Sequence, residues 1–410
     1  MTADRELDVV VHGATGFVGR LTAEHLARCA PPGARIGLAG RSRERLAELR
    51  GSLGRQAGRW PLLLADAGDE EELATLAART RVVATTVGPY LTHGLPLVAA
   101  CARAGTHYAD LTGELLFVRE AIDRHHDRAV GTGARIVVSC GFDSVPSDLG
   151  VMVTAERARA DGEGELTDTT LVVVGAKGGI SGGTLETMRT TMAAARSDAR
   201  ARRLLADPYA LSPDHDAEPV DRERRDGLGV GHDADLGGWT APFLMASYNT
   251  RVVRRSNALQ GWAYGRDFRY KEVMRTGTGL PGAALAAGIT GALGVGAAAL
   301  AFRPTRAVLD RLLPGPGEGP DEETRRRGRF RMEVHARTTT GARYVTVVAA
   351  QGDPGYAATS VMLGESALAL ALDSDRLPPA SGVLTPATAL GQVLVERLRA
   401  AGFAITVDRA

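Results

Sequence analysis

The sequence predicts an α/β protein with an N-terminal, doubly wound parallel sheet and a second α/β domain whose sheet is mixed or antiparallel. The first observation is that short apolar runs alternate with helical patterns over residues 8–140, at the spacing of strands joined by crossover helices. The second is that the pattern of the sequence changes near residue 150, after which the β-branched run 169–175 leads into a glycine-rich turn. The third is a pair of strand-like runs within 329–350, joined near Thr340-Gly341.

Length and composition set the limits of this prediction. The chain has 410 residues, which is too long for one ordinary core and favours two domains. With 49 basic and 48 acidic side chains the net charge is +1, so no electrostatic field favours nucleic acid as a partner. The three cysteines form no CxxC pair and no zinc-type spacing with histidine, so we expect neither a metal site nor a disulfide framework.

The N-terminal domain is expected at residues 1–150, with strands and helices in alternation. Such alternation predicts a parallel sheet with helices on both faces. Its strands are predicted at 8–11, 35–39, 60–65, 82–87 and 135–139, and its helices at 17–30, 43–53, 70–79 and 95–104.

The substrate and dimerisation domain is expected at residues 151–375. Its predicted elements are a strand at 169–175, a turn at 178–183, a helix at 184–205, a loop at 207–237, an extended segment at 239–253, a loop at 313–328, two strands within 329–350 and a helix at 356–371. The remaining residues, 376–410, contain a helix at 385–401 that can return to the first domain. We expect a homo-oligomer.

One stretch, residues 276–302, carries no charged side chain and is flanked by Arg275 and Arg303. As a helix it would be about 40 Å long, more than the ~30 Å hydrocarbon layer of a bilayer. It is rich in alanine and glycine, so insertion into lipid would be weakly driven. Three interpretations remain open: a membrane span, a peripheral lipid-facing element, and a buried helix pair or dimer interface. Because the polar N-terminus shows no signal peptide, we expect a cytoplasmic protein, or one at the inner face of the plasma membrane.

The strongest signal is a glycine motif, Gly13-Ala14-Thr15-Gly16-Phe17-Val18-Gly19, directly after the first apolar strand. Gly13 permits a tight turn, Gly16 lets the backbone approach a pyrophosphate, and Gly19 lets the following helix pack close to the strand. The helix N-terminus then offers N–H groups and a positive dipole end to phosphate. This strand-turn-helix context predicts a Rossmann dinucleotide site, although the spacing is GxxGxxG rather than GxGxxG.

The end of the second strand selects the cofactor. An NAD enzyme usually has a carboxylate here for the ribose 2′-hydroxyl, but this chain has Arg41 and Ser42. Guanidinium and hydroxyl groups suit a 2′-phosphate, so the sequence predicts NADP(H), unless Arg41 merely faces solvent. Asp66 follows the third strand, where it can meet the adenine or act as a turn residue, and Gly88-Pro89 follows the fourth strand beside the expected nicotinamide. The predicted cofactor contacts are Gly13, Ala14, Thr15, Gly16, Phe17, Gly19, Arg41, Ser42, Asp66, Gly88 and Pro89.

Several further strings resemble one family. They are Val87-Gly88-Pro89-Tyr90, Ala104-Gly105-Thr106-His107-Tyr108-Ala109-Asp110-Leu111-Thr112-Gly113-Glu114 and Cys140-Gly141-Phe142-Asp143-Ser144-Val145-Pro146-Ser147-Asp148. The chain resembles the saccharopine dehydrogenase-like oxidoreductases and is most similar to the trans-acting enoyl reductases of actinobacterial lipid synthesis. The resemblance implies reduction of an α,β-unsaturated thioester, carrier-bound or delivered by a polyketide synthase, for products such as glycolipids.

Such a reaction needs a proton donor and a hydrogen-bond donor for the developing enolate. Tyr90 and His93 lie just after the fourth strand and are candidate catalytic residues, although structural roles are equally open. Asp143 and Ser144, after the last predicted strand of the domain, are candidate substrate contacts. Two other functions stay open: a saccharopine-type amino-acid dehydrogenase, and a non-catalytic NADP-binding scaffold at a membrane.

Overall fold

A computed structural model describes residues 5–178, 182–218, 229–301 and 319–410. Parts of three predicted loops and the last residue of the uncharged segment therefore lie outside the described residues, at 179–181, 219–228 and 302–318.

The elements follow one another in an order that changes character near residue 150. The first part contains β1 (Leu7–His12), α1 (Phe17–Cys29), β2 (Ile36–Gly40), α2 (Arg43–Ser52), a 3₁₀ turn (Gln56–Arg59), β3 (Leu62–Leu64), α3 (Glu70–Arg79), β4 (Thr80–Thr85), α4 (Tyr90–Ala104), β5 (His107–Ala109), α5 (Leu115–Thr132) and β6 (Arg135–Val137). Then come α6 (Val145–Ala160), β7 (Leu166–Lys177), α7 (Gly182–Ser197), α8 (Ala199–Ala206), β8 (Gly231–Asp233), β9 (Gly238–Pro242), α9 (Ala246–Leu259), β10 (Arg269–Gly277) and α10 (Gly279–Ala301). The last part contains α11 (Glu322–Arg327), β11 (Arg329–Thr338), β12 (Arg343–Gln351), a π-helical turn (Pro354–Ala358), α12 (Thr359–Leu372), β13 (Gly382–Leu384), α13 (Pro386–Ala400) and β14 (Ala404–Arg409).

The first compact unit is built on a seven-stranded sheet in the order β13-β6-β5-β4-β1-β2-β3. Every recorded pairing in this sheet is parallel. All six residues of β1 are buried, and Val9, Val10 and Val11 pair with β2 on one side and β4 on the other. Because parallel strands end at one edge, the loops after β1, β2, β4 and β6 share that edge. The predicted fold class is confirmed.

The C-terminal part of the chain returns to this unit. Among the described residues the unit holds 5–145, 319–321 and 355–401. Helix α12 packs against α1, α13 and β4, and it is buried along nearly its whole length because both of its faces are apolar. Strand β13 extends the sheet beside β6. The observed division thus differs from the expected boundaries: residues 146–150 belong to the second unit instead of the first, and residues 319–321 and 355–375 to the first instead of the second.

The second unit has a mixed seven-stranded sheet in the order β14-β12-β11-β7-β10-β9-β8. Strands β7 and β10 are parallel, and the other recorded pairs are antiparallel. Helix α6 lies on one face, where Thr154 and Thr346 share a hydrogen bond of 2.6 Å between their hydroxyls. Strand β14 is one of the two edge strands of this sheet and pairs with β12, so residues 402–410 belong to this unit and not to the first.

Two predicted elements of this unit are wrong. The extended segment 239–253 is a strand only in β9, and its second half begins helix α9. Buried arginines explain the helix: Arg254 donates to the backbone carbonyls of Pro208 and Tyr270, and Arg255 donates to that of Leu211. These contacts outweigh the β-branched composition of the segment. The single helix expected at 184–205 is two helices, because Asp198 caps α8 by accepting from Arg200 N at 2.7 Å.

The uncharged segment forms α10. Over Gly279–Gly296 only 11% of the helix is buried, with a mean hydropathy of 1.4. In the part of the chain that the structure describes, one other helix is long and apolar enough to cross a membrane, Pro354–Leu372, but 78% of it is buried as the core helix α12. The buried helix pair considered for 276–302 is therefore not what this unit contains, since most of α10 is exposed.

Candidate cofactor and active site

The glycine turn between β1 and α1 is built as the motif predicts. Gly13 has a φ of +79°, and a Cβ there would lie 2.7 Å from Val87 Cγ2. A Cβ on Gly19 would lie 2.2 Å from Gly13 O, so the first turn of α1 can approach the strand only through glycine. Ala14 is buried, and its N–H donates to Ala39 O at 3.1 Å, which fixes the turn against β2. These contacts hold the start of α1 at the switch point between β1 and β4.

The N-terminus of α1 is open where phosphate would bind. Gly16 is the exposed N-cap residue, and no side chain caps the helix. A Cβ at position 16 would lie 3.2 Å from Gly13 O and would meet no other atom within 4 Å. The space in front of the helix N-terminus is therefore open. Thr15, half-buried, faces Gly40 at the end of β2. The helix dipole and first-turn N–H groups therefore suit a pyrophosphate.

Phe17 differs from its neighbours in the motif, because its side chain packs against residues from later parts of the chain. Its ring lies 4.8 Å from that of Tyr356 in an edge-to-face arrangement. A Cβ on Gly319 would lie 2.5 Å from the Phe17 ring, so the 319–321 segment passes directly over it. The returning parts of the chain thus border the predicted cofactor site.

The cationic group expected at the end of β2 is present. Arg41 is exposed, and among the described residues its guanidinium makes no hydrogen bond or ion pair. Ser42 is the N-cap of α2, and its hydroxyl oxygen accepts from Arg45 N at 3.3 Å while its proton remains able to donate. The pair can therefore meet a 2′-phosphate with a full positive charge and one hydroxyl donor.

Asp66 and His12 lie at the same edge of the sheet, Asp66 just after β3 and His12 at the end of β1. Asp66 is exposed and accepts from Gly68 N at 2.9 Å, so its carboxylate holds the turn after β3. His12 was not predicted; it is buried between Thr85 Oγ1 at 3.1 Å and Ala65 O at 3.3 Å. Burial lowers the pKa of His12 to about 4, so the ring is neutral, and its contacts tie β1 to β4 and to the residue that follows β3.

The loop after β4 brings Gly88 and Pro89 to the same edge. The peptide bond between them is cis, and Pro89 is the N-cap of α4. The Glu114 carboxylate closes this helix end by accepting from Tyr90 N at 2.8 Å and Leu91 N at 2.9 Å. No local pattern predicts this contact, because Glu114 is 24 residues away from Tyr90 along the chain.

The two predicted catalytic residues differ sharply in their surroundings. The Tyr90 hydroxyl is buried; it donates to Thr85 O at 3.2 Å and accepts from Leu111 N at 3.2 Å. Burial, with the nearby Asp110 carboxyl, raises the pKa of Tyr90 well above its usual value. These contacts assign Tyr90 a packing role and argue against it as a proton donor. His93, one turn further along α4, is exposed at the same edge.

Asp110 anchors the edge at β5 and was missed as a site residue. It is fully buried and accepts three hydrogen bonds, from Tyr108 Oη at 2.8 Å, Ser139 N at 2.8 Å and Thr112 N at 3.0 Å. Burial outweighs these donors and raises the pKa of Asp110 to about 7. Because the Ser139 bond fixes the loop after β6, Asp110 positions the residues that follow.

Asp143 lies in that loop. Its carboxyl is half-buried and, within the described ranges, makes no recorded hydrogen bond or ion pair. Burial alone raises the pKa of Asp143 to about 6. Ser144 is fully buried, its N–H donates to Gly141 O at 3.2 Å, and it therefore belongs to the turn rather than to an open surface. Of the two predicted substrate contacts, Asp143 alone presents an uncommitted group.

Comparisons with known proteins agree with this geometry. The sequence pattern of the family described as "Saccharopine dehydrogenase NADP binding domain" matches residues 9–137. Together with the open α1 N-terminus and Arg41, this match defines the chain as an NADP(H)-binding oxidoreductase. A Saccharomyces cerevisiae saccharopine dehydrogenase (L-Glu forming) has the same fold, with a TM-score of 0.54, 14% identity and coverage of 98% of this chain and 99% of that chain.

Closer relatives exist at the sequence level. A Mycobacterium tuberculosis (H37Rv) protein, named only provisionally as a trans-acting enoyl reductase, is 54% identical over 100% of this chain and 99% of its own length. The trans-acting enoyl reductase of Mycobacterium bovis BCG is 50% identical over 99% of each chain. That of Mycobacterium ulcerans is 49% identical over 100% of this chain and 99% of its own. The chain belongs to the trans-acting enoyl reductase family, within the saccharopine dehydrogenase-like oxidoreductases.

Proposed function

We propose that this chain is an NADPH-dependent reductase of the carbon–carbon double bond of an enoyl thioester, acting in lipid, glycolipid or polyketide biosynthesis. The observation that carries the proposal is an NADP(H) site with an uncommitted guanidinium at Arg41, in a chain about half identical to trans-acting enoyl reductases along its whole length.

The reaction adds a hydride to the carbon β to the thioester and a proton to the α carbon. The bound cofactor supplies the hydride. The chain must supply position, a proton, and a partner for the negative charge that develops on the thioester oxygen. Gly13, Gly16 and Gly19 shape the backbone that would hold the pyrophosphate, and Arg41 with Ser42 would hold the 2′-phosphate.

Asp143 is proposed as the residue that holds the proton. Its carboxyl lies after β6, on the edge where the β1 and β4 loops also end, and it has no recorded partner in the described chain to stabilise its charge. Because its pKa is about 6, part of the population is protonated near neutral pH. Asp110, through its bond to Ser139 N, acts as a positioning residue for this loop.

His93 is proposed as the hydrogen-bond donor to the thioester oxygen. It is exposed in the first turn of α4, next to the Gly88-Pro89 loop that borders the expected nicotinamide position. Tyr90 instead fixes this helix start by its two backbone hydrogen bonds.

The proposed substrate is an acyl chain on a carrier, delivered by a polyketide synthase partner, and the proposed assembly is a homo-oligomer in the cytoplasm. A peripheral contact of segment 276–302 with the inner face of the plasma membrane would bring the site close to lipid products. The names of the relatives support the acyl-carrier substrate.

The direct test measures NADPH oxidation with enoyl thioesters of increasing chain length, beside NADP⁺ reduction with saccharopine-like amino acids. We expect thioester-dependent NADPH oxidation and no amino-acid oxidation. Turnover with amino acids alone would assign a saccharopine-type dehydrogenase instead. Tight NADPH binding without turnover of any thioester would indicate a non-catalytic scaffold.

A further inference from the structure

We propose that α10 and the cationic side chains around its base form a docking surface for an anionic lipid bilayer. The inference deepens the membrane contact in the proposed function and does not depend on which thioester is reduced. It commits to a lipid surface as the occupant, because apolar exposure and positive charge occur together there.

The apolar part is the outer length of α10. The side chains of Leu280, Leu285 and Val295 are 87%, 53% and 70% exposed. The helix contains no charged residue, so this exposed surface is apolar. Its contact with the rest of the unit is concentrated near its start, where a Cβ on Gly282 would lie 2.5 Å from Gly277 O. A helix that is apolar all round is normally buried in a core or in lipid, and this one is not in a core.

The charged part is a basic collar, which we define as Lys177, Arg275, Arg329 and Arg331. Arg329 pairs with Lys177 and Arg331 with Gly175, so these residues share one end of the second sheet. Strand β10, which contains Arg275, ends at the same end of the sheet and leads into α10. Glu333 is the carboxylate that pairs within the collar, with Arg331 at 2.8 Å and Arg275 at 4.0 Å. The collar therefore carries four cations at the end of the sheet where the uncharged helix begins, and two of them, Arg331 and Arg275, pair with the Glu333 carboxylate.

The charge of the collar separates lipid from a second copy of this chain. Two copies joined through parallel α10 helices would bring two positive collars together, which is unfavourable, and an antiparallel pair would leave each collar without an acidic partner on the other copy's uncharged helix. An anionic bilayer instead attracts the guanidinium groups while it accepts the apolar helix. Because alanine and glycine bury little apolar area, the helix alone should bind weakly, and stable docking should require both parts.

The test is co-sedimentation of the full-length protein with vesicles of phosphatidylcholine alone and of phosphatidylcholine with phosphatidylglycerol. We expect pelleting with the anionic vesicles only, and release at high salt. Leu285→Glu and Val295→Glu should each abolish pelleting. Lys177→Glu and Arg329→Glu should each weaken partitioning about fivefold or more, since one charge near the surface contributes about that factor.

Matched controls lie on α5 of the first unit. Val130→Glu replaces an exposed apolar residue and Arg128→Glu an exposed cation, and both should pellet like the unmodified protein. Equal binding to neutral vesicles, absence of binding, or a self-association that Leu285→Glu dissolves would each overturn the proposal. NADPH oxidation with a water-soluble thioester, measured on the same variants, reports the proposed reaction separately.

Discussion

Arg41 is the residue on which the cofactor preference depends. The glycine turn would accept either dinucleotide, because it would contact only the pyrophosphate that NADH and NADPH share. The 2′-phosphate differs between them, and the group placed to meet it is an exposed guanidinium with no recorded partner in the described chain. Binding NADPH therefore breaks no existing ion pair of this side chain.

Reversing the charge at Arg41 should change the cofactor preference. We expect Arg41→Asp to weaken NADPH binding by roughly tenfold to a hundredfold, the value of a charge-assisted contact, and to leave NADH binding nearly unchanged. Isothermal calorimetry with both cofactors measures this. Arg55→Asp, an exposed arginine elsewhere in the unit, is the matched control. An unchanged ratio of the two dissociation constants would refute the assignment.

Asp143 gives a pH signature. If its protonated form donates, kcat should fall as pH rises through about 6, because the carboxyl then loses its proton. Asp143→Asn should lower kcat by roughly 10²–10⁴-fold and remove this limb of the pH profile. Asp127→Asn, an exposed carboxyl on α5, should leave the profile intact. A parallel pH profile in the Asp143 variant would show that another group supplies the proton.

The same carboxyl has a stability consequence of defined sign. Its folded pKa is raised above the unfolded value near 3.8, so its contribution to stability is complete below that value and is lost as pH rises through about 6. Near pH 7 the Asn variant should therefore be at least as stable as the parent in urea titrations. A less stable variant at pH 7, but not at pH 4, would contradict this sign.

At the scale of elements, the start of α1 shows why its glycines are needed. The Cβ of an alanine at position 19 would meet Gly13 O at 2.2 Å, so Gly19→Ala should force the helix away from the turn. We expect a loss of about 2 kcal/mol in unfolding free energy together with loss of NADPH affinity. Gly51→Ala, in α2 with nothing within 4 Å of its Cβ, should instead stabilise by up to about 1 kcal/mol. Thermal unfolding with and without cofactor distinguishes the two.

Local patterns predicted the elements whose causes are local. Strand β1, the glycine turn and Arg41 follow from neighbouring residues, and the structure has them where the sequence indicated. Helix α9 was predicted as an extended segment, because its helical state depends on arginines that bind carbonyls about 44 residues away. Asp110 and Glu114 were also missed as site residues, since their partners come from other strands and helices.

At the scale of the whole molecule, the first unit is closed by residues far along the chain. Glu365 on α12 accepts from His25 of α1 at 2.8 Å and from Arg397 of α13 at 3.0 Å. Burial opposes its charge, but these two partners outweigh burial and lower the pKa of Glu365. No sequence pattern revealed this connection, because it spans 340 residues.

Removing that carboxylate should loosen the returning helices. Glu365→Ala leaves a buried histidine and part of an arginine without their partner, and we expect a loss of about 3 kcal/mol in unfolding free energy. Since the pKa of Glu365 is lowered, the parent should lose this contribution as pH falls through the folded pKa. Glu396→Ala, which breaks an exposed pair with Arg376, should change stability far less. Equal effects of the two substitutions in denaturant titrations would refute the proposed closing role.

Strand β14 has a consequence for biosynthesis on the ribosome. The first unit needs residues 355–401, and the second needs the strand that follows them to cover the edge of β12. During synthesis, neither unit can therefore complete its core before residues 355–410 have emerged from the exit tunnel. We therefore expect nascent chains stalled before residue 355 to bind chaperones through both units. The N-terminal unit should not fold early on its own, because it still lacks residues 355–401.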